Sequence, residues 1–358
     1  MLATNLTEPR SGHTATHLPD GSIAICGGEK VVPLSEPCSI DAAEIFNPAT
    51  LTASPMERMP LPRQGHAAQM VGGELVLLGG IVSAGGCIQV VEPTAIWNPR
   101  TGHWRAGPSL PDALGVTATP IDGDRVLVSG GYLVGDSPEA TARTQLWMGA
   151  SQAFSPTSSM LQSRYLHASV RLNDGRVLVA GGLAAKPGGG GLMALSSAEL
   201  FDPVTGEWHS TGPMLEARAE HSLTLLHDGS VLAMGGYGDR EALIASIERW
   251  NPRSGRWASA GATLEPCCMH TATLLPDGKV MVVGGLGGWG SLVGFGALAE
   301  PALRRVEVHD PRRETSGVHG ELTTGRCGHS AFLLPGSLLV IGGRTHRPAL
   351  NTVERVAI

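Results

Sequence analysis

A pair of adjacent glycines closing a short apolar run recurs seven times along the chain, starting at Gly27, Gly79, Gly130, Gly181, Gly235, Gly284 and Gly342. A fixed spacing, here roughly fifty residues, means one supersecondary unit copied along the chain, each copy burying its apolar faces against the next. The 358 residues therefore read as a single closed domain, 1–358, rather than as two or three unrelated ones. Composition agrees: 49 glycines, 25 prolines and only 16% charged residues describe short strands and turns, not long amphipathic helices.

The fifth copy shows the unit most clearly. His221-Ser222-Leu223-Thr224-Leu225-Leu226 reads as strand a, Asp228-Gly229 as a tight turn, and Val231-Leu232-Ala233-Met234 as strand b running into Gly235-Gly236. Ile247-Glu248-Arg249-Trp250 is strand c, Asn251-Pro252-Arg253-Ser254-Gly255 turns the chain, and Trp257 opens strand d. The same turn returns as Asp202-Pro203-Val204-Thr205-Gly206-Glu207-Trp208 and as Asn98-Pro99-Arg100-Thr101-Gly102-His103-Trp104. With its Arg-x-Gly-His, Asp-Gly, Gly-Gly and Glu-x-x-Asn/Asp-Pro segments, the chain resembles the kelch-repeat family over essentially its whole length, in the bacterial or galactose-oxidase-like form. That resemblance implies an all-β, seven-bladed kelch-type β-propeller with four antiparallel strands per blade. It does not choose a function, because the family includes binding scaffolds, copper enzymes, sugar-acid epimerases and iron-dependent specifier proteins.

Counting strands predicts how the ring closes. Residues 352–358 align with strand c of the seventh copy and leave no strand d, whereas 2–6 sit where a strand d belongs. The N-terminal strand, 2–6, should complete the blade formed by 329–358 and leave no open edge.

The net charge of -6 and the lack of a basic stripe argue against nucleic acid as a partner. No apolar run approaches the length of a membrane span, and residues 1–8 lack the features of a signal peptide. The expectation is a soluble, cytoplasmic protein whose six cysteines are thiols.

In an a-b-c-d blade the short a-b and c-d turns share one face, and the longer, variable b-c loops share the other with the d-a loops. Recognition is expected on that second face. Six histidines occupy one repeat position there: His13, His66, His167, His221, His270 and His329. They read either as a ring of metal ligands or as a bond tying each strand a to its neighbour, and recurrence in nearly every blade favours the second reading. Arg10, Arg63, Arg164, Arg218 and Arg326, three residues earlier, are matched by Glu44, Glu199, Glu248, Glu307 and Glu354 and suggest structural ion pairs.

Departures from the repeat point to function. Ala113 and Val116 replace Arg and His in the third copy, an exchange that would open a pocket beside Asp112. In the sixth, Cys267 takes the Arg position and Cys268 follows; Cys327 is the equivalent of Cys268 in the seventh. If these segments are extended, Cys268 and His270 share one side, as do Cys327 and His329, giving candidate metal ligands for copper, or for zinc or iron. Cys267, Cys268 and Cys327 are candidate catalytic thiols, with packing between blades as the alternative. The Gly-hinged loop 286–298 carries Trp289 and Phe295 and reads as a lid, as a sticky patch or as plain packing. Asp112, Trp289, Phe295, Tyr165 and Arg326 are the candidate substrate-binding residues.

Two functions follow. One is a small-molecule enzyme at the channel mouth near blades 6 and 7, using copper or thiol chemistry, although the three tyrosines do not match the ligand set of the copper oxidases. The other is a scaffold that holds a protein or peptide partner across the b-c loops. The absence of an accompanying domain tilts the expectation toward the enzyme.

Overall fold

The computed structural model describes residues 3–30, 37–85, 87–111, 114–133, 139–188, 191–239, 242–287, 302–345 and 348–358. Its strands form seven four-stranded antiparallel sheets, each ordered a-b-c-d, with the a strands of successive blades in contact along the central channel. Blade 5 consists of Ser222–Leu225, Val231–Met234, Ser246–Asn251 and Arg256–Ala262, in the positions read from the repeat. Its c-d turn is held by Asn251, whose Oδ1 accepts from Arg253 N and Ser254 N at 2.9 and 3.3 Å.

Every b strand is buried on both faces because blades stack on both sides of it. In blade 1, Ile23 and Ile25 enter the core shared with blade 7, while Ala24 and Cys26 enter the core shared with blade 2. The two-residue period of a strand thus divides one apolar run between two interfaces. Seven apolar clusters each straddle one blade interface.

The glycine pair answers a steric demand of the next blade. Gly28 N donates to Arg63 O at 2.8 Å, and a Cβ on Gly27 would stand only 2.4 Å from that carbonyl. Gly182 N bonds Arg218 O and Gly285 N bonds Arg326 O in the same way, which explains the regular recurrence of the pair.

The ring closes as expected. Blade 7 is Ser330–Leu334, Ser337–Ile341 and Thr352–Ala357, completed by Ala3–Asn5. Ala3 lies opposite Glu354 and Asn5 opposite Thr352, and buried Leu6 continues into the core between blades 7 and 1. On the variable face several b-c loops fold into small hairpins, among them Ile81–Ala84 with Cys87–Val90 and Leu183–Ala185 with Leu192–Ala194.

Candidate functional site

The repeated Arg and Glu residues form the frame around the channel. Arg10 and Glu44, Arg164 and Glu199, and Arg218 and Glu248 pair at 2.6, 2.7 and 2.6 Å, and Arg326 pairs with Glu354. All four guanidiniums are fully buried. Each carboxylate also accepts backbone N–H groups from the loop before strand a, as Glu248 does from Leu215 and Glu216. Arg63 has Ala95 where the Glu would stand; carbonyls of Gly79 and Pro93 hold it at 3.2 and 3.0 Å, and burial pulls its pKa down to about 10.

Four of the six histidines tie blade to blade, whereas both ring nitrogens of His13 and of His221 are buried with no hydrogen-bond partner among the described residues. His66 Nε2 meets Thr14 Oγ1 at 2.8 Å, and His167, His270 and His329 meet Thr117, Ser222 and Thr271 of the preceding blade at 3.0 Å each. Burial holds His13, His167 and His329 near pKa 3 and His270 near 4, so all are neutral at pH 7. Blade 3 changes both halves of this contact: Val116 replaces the His and Ala67 the Thr, and both pack on the core between blades 2 and 3. At Val116 the exchange fills apolar space rather than opening it; Asp112 and Ala113 lie outside the described residues.

Between Arg and His, the chain turns through a left-handed residue in all seven blades. Gly12, Gly65, Gly115, Leu166, Glu220, Met269 and Gly328 have φ of 63, 60, 66, 54, 50, 53 and 58°. Their amides pass bonds round the channel, as from Gly12 N to Gly328 O, Gly65 N to Gly12 O and Glu220 N to Leu166 O, at 3.1, 2.9 and 3.1 Å. Leu166, Glu220 and Met269 hold this conformation without being glycine, which costs roughly 1 kcal/mol each and marks their side of the ring.

Above that ring lies an eighth apolar cluster that belongs to no blade interface: Tyr165, Leu183, Ala219, Tyr237, Cys268, Leu286 and Cys327, with Tyr132, Leu166 and Met269 against it. It is built from the residue after each Arg, bridged to the residue after each glycine pair, as in Tyr165 with Leu183 and Cys327 with Arg344. Blades 3 to 6 make this lining apolar and aromatic, with the Tyr132 and Tyr165 rings 4.7 Å apart. Blades 7, 1 and 2 make it polar. Arg344 Nη1 reaches Glu29 Oε1 at 3.2 Å across the closure, Glu29 also bonds Gln64, and Arg344 Nε is buried without a partner among the described residues. Glu220 stands between the halves, bonded to the Cys268 thiol and within the field of Arg344; desolvation outweighs that field and raises its pKa to about 7.

The sequence-predicted site residues divide around this mouth. Cys268 and Cys327 line it, and Tyr165 is buried in its wall. Cys267 points away from it, with Sγ 3.5 Å from His270 Nδ1. Alternation was expected to put Cys268 and His270 on one side, but left-handed Met269 intervenes: Cys268 faces the mouth and His270 turns to Ser222. Gly328 separates Cys327 from His329 in the same way. The donors therefore do not converge on a copper, zinc or iron ion, and among the described residues no group of three or more His, Cys, Asp or Glu could hold a metal. All six cysteines are unpaired. Burial pushes Cys267 up to about 12 and raises Cys268 and Cys327, opposite to what a nucleophilic thiolate needs. Arg326 spends its guanidinium on Gly342, Thr352 and Glu354 and presents none of it to the mouth. Trp289 and Phe295 lie outside the described residues. Glu220, Glu29 and Arg344 were not singled out from the sequence, although Glu220 stands in a Gly position of Arg-x-Gly-His and was detectable there.

Seven closed blades around a channel, with variable hairpins on one face, define a β-propeller whose uniform frame carries one unequal mouth. A family model described as Kelch motif matches residues 164–215. The chain is 30% identical over 146 residues, 40% of its length, to Kelch-like protein 23 of Homo sapiens and of Pongo abelii, and 28% identical to that of Mus musculus. The match spans 24% of each of these relatives, about a quarter of their length. The protein is a seven-bladed β-propeller that carries a Kelch motif over residues 164–215.

Proposed function

We propose that this protein is a scaffold that binds a protein or peptide segment across the hairpin-lined mouth of its channel. The observation that carries this reading is the division of the mouth into an aromatic wall at blades 3 to 6 and the Arg344–Glu29 pair opposite. An apolar side chain of the partner would pack on the partly buried members of the wall, Tyr132, Leu166 and Met269. A carboxylate or backbone carbonyl would pair with the part-exposed side chain of Arg344. The match to Kelch-like proteins supports the scaffold reading over the enzyme reading, and so do the buried, protonated thiols.

The test is selection of short peptides from a displayed library against the purified chain, followed by affinity measurement with variants. Peptides sharing one motif, and losing at least tenfold in affinity on Arg344→Ala but not on Arg253→Ala in an exposed c-d turn, would support the proposal. Selected peptides indifferent to Arg344→Ala would overturn it, as would stoichiometric copper, zinc or iron in the purified protein that is lost in Cys268→Ser.

A further inference from the structure

Blade 6 lacks half of the buried ion pair that four other blades share. Cys267 stands where those blades place Arg, and its side chain brings no cation to the carboxylate. Glu307 nevertheless keeps the geometry of its equivalents. In blades 1, 4, 5 and 7, Oε1 of the glutamate receives the arginine Nη2. Glu307 Oε2 accepts Leu264 N at 2.9 Å, whereas Oε1 is buried with no partner among the described residues, in a residue only 4% exposed.

A cavity of about 10 Å³, room for one water-sized occupant, lies at this point and is lined by Cys267, Gly284, Arg305, Glu307 and Glu265 among others. We propose that it is a binding site for one small monovalent cation of the ammonium, sodium or potassium class, which takes the place of the missing guanidinium.

Oxygen donors are supplied by the same frame that holds arginine elsewhere. In blade 1 the carbonyls of Gly27 and Ala42 accept from Arg10 Nη1 at 2.9 and 3.0 Å; Gly284 and Arg305 are their equivalents in blade 6. With Glu307 Oε1 they make a carboxylate-and-carbonyl set suited to a hard cation, and the thiol of Cys267 contributes no charge. Arg305 is neutralised by Glu265 at 2.6 Å, so the lining carries one net negative charge, that of Glu307. One monovalent ion balances it. A buried carboxylate left without a partner is strongly unfavourable, which supplies the drive for binding.

Melting temperatures of the full chain would be measured in ammonium, sodium and potassium chloride against N-methylglucamine chloride at equal ionic strength. At least one small cation should give a saturable rise of about 2–3 °C over N-methylglucamine. Glu307→Gln should abolish the difference, and Cys267→Arg, which restores the covalent cation, should melt higher and respond to none of the salts. Identical melting in all four salts would overturn the proposal and leave Glu307 a protonated, neutral group. Equal cation responses in the wild type and in whichever variant folds would overturn it too, by placing the ion elsewhere.

Discussion

Glu220→Gly should stabilise the propeller above neutral pH. Two costs disappear with the side chain. The left-handed backbone, φ 50°, favours glycine by roughly 1 kcal/mol, most of which the greater freedom of glycine in the unfolded chain cancels. The larger cost is desolvation of the carboxylate. A pKa raised from 4.5 to about 7 corresponds to about 3 kcal/mol at 1.36 kcal/mol per pH unit. The sign follows from linkage: the group is protonated in both states below pH 4.5, becomes charged first in the unfolded chain as pH rises, and reaches its full cost above 7. Glu220→Gly should thus melt about 4 °C above wild type at pH 8, for a chain of this size at just over 1 °C per kcal/mol, and within about 1 °C of it near pH 5. Differential scanning calorimetry between pH 5 and 8 measures both. A difference between variant and wild type that stays constant over that range would refute the burial argument, even if the variant were more stable.

Three further outcomes are expected. The buried neutral histidines make the fold acid-sensitive. Their folded pKa values lie far below 6.5, so their support is complete above 6.5 and is lost as pH falls toward 3, by about 2 kcal/mol per histidine at pH 5; a melting temperature equal at pH 5 and 7 would contradict this. Removal of residues 1–8 strips the fourth strand from blade 7 and should lower the melting temperature of the whole ring by 10 °C or more, on the order of several kcal/mol of lost strand pairing and burial, as calorimetry would register. Titration of the native protein with a thiol reagent should label exposed Cys38 and Cys87 within seconds and leave Cys26, Cys267, Cys268 and Cys327 unlabelled until denaturant is added; rapid labelling of four or more would revive thiol chemistry.

The frame was legible in the sequence because four blades repeat it in full. Arg218 and Glu248 recur together, and the surplus strand at one end with the deficit at the other announced the closure. What stayed hidden depended on backbone handedness and on distance along the chain. Met269 between Cys268 and His270 gives no compositional sign that it is left-handed; only its alignment with Gly12 and Gly65 does, and without that the alternation rule brought thiol and imidazole together. Glu220 was passed over for the same reason. Arg344 and Glu29 meet only because the ring closes, across 315 residues of chain, and no local pattern carries that information. Val116 was legible as a departure from the repeat, but its meaning required knowing that the residue facing it is Ala67 rather than Thr.

The closing strand also dictates an order of events at the ribosome. Ala3–Asn5 is made six blades ahead of its partner Thr352–Ala357. Until then the early blades can stack, but the newborn N-terminal segment has nothing to pair with and the growing stack ends in an uncovered blade face. Completion of the ring thus waits for the seventh blade, and in a crowded cell the interval before it is when the chain is most exposed to pairing with a neighbour or to capture by a chaperone.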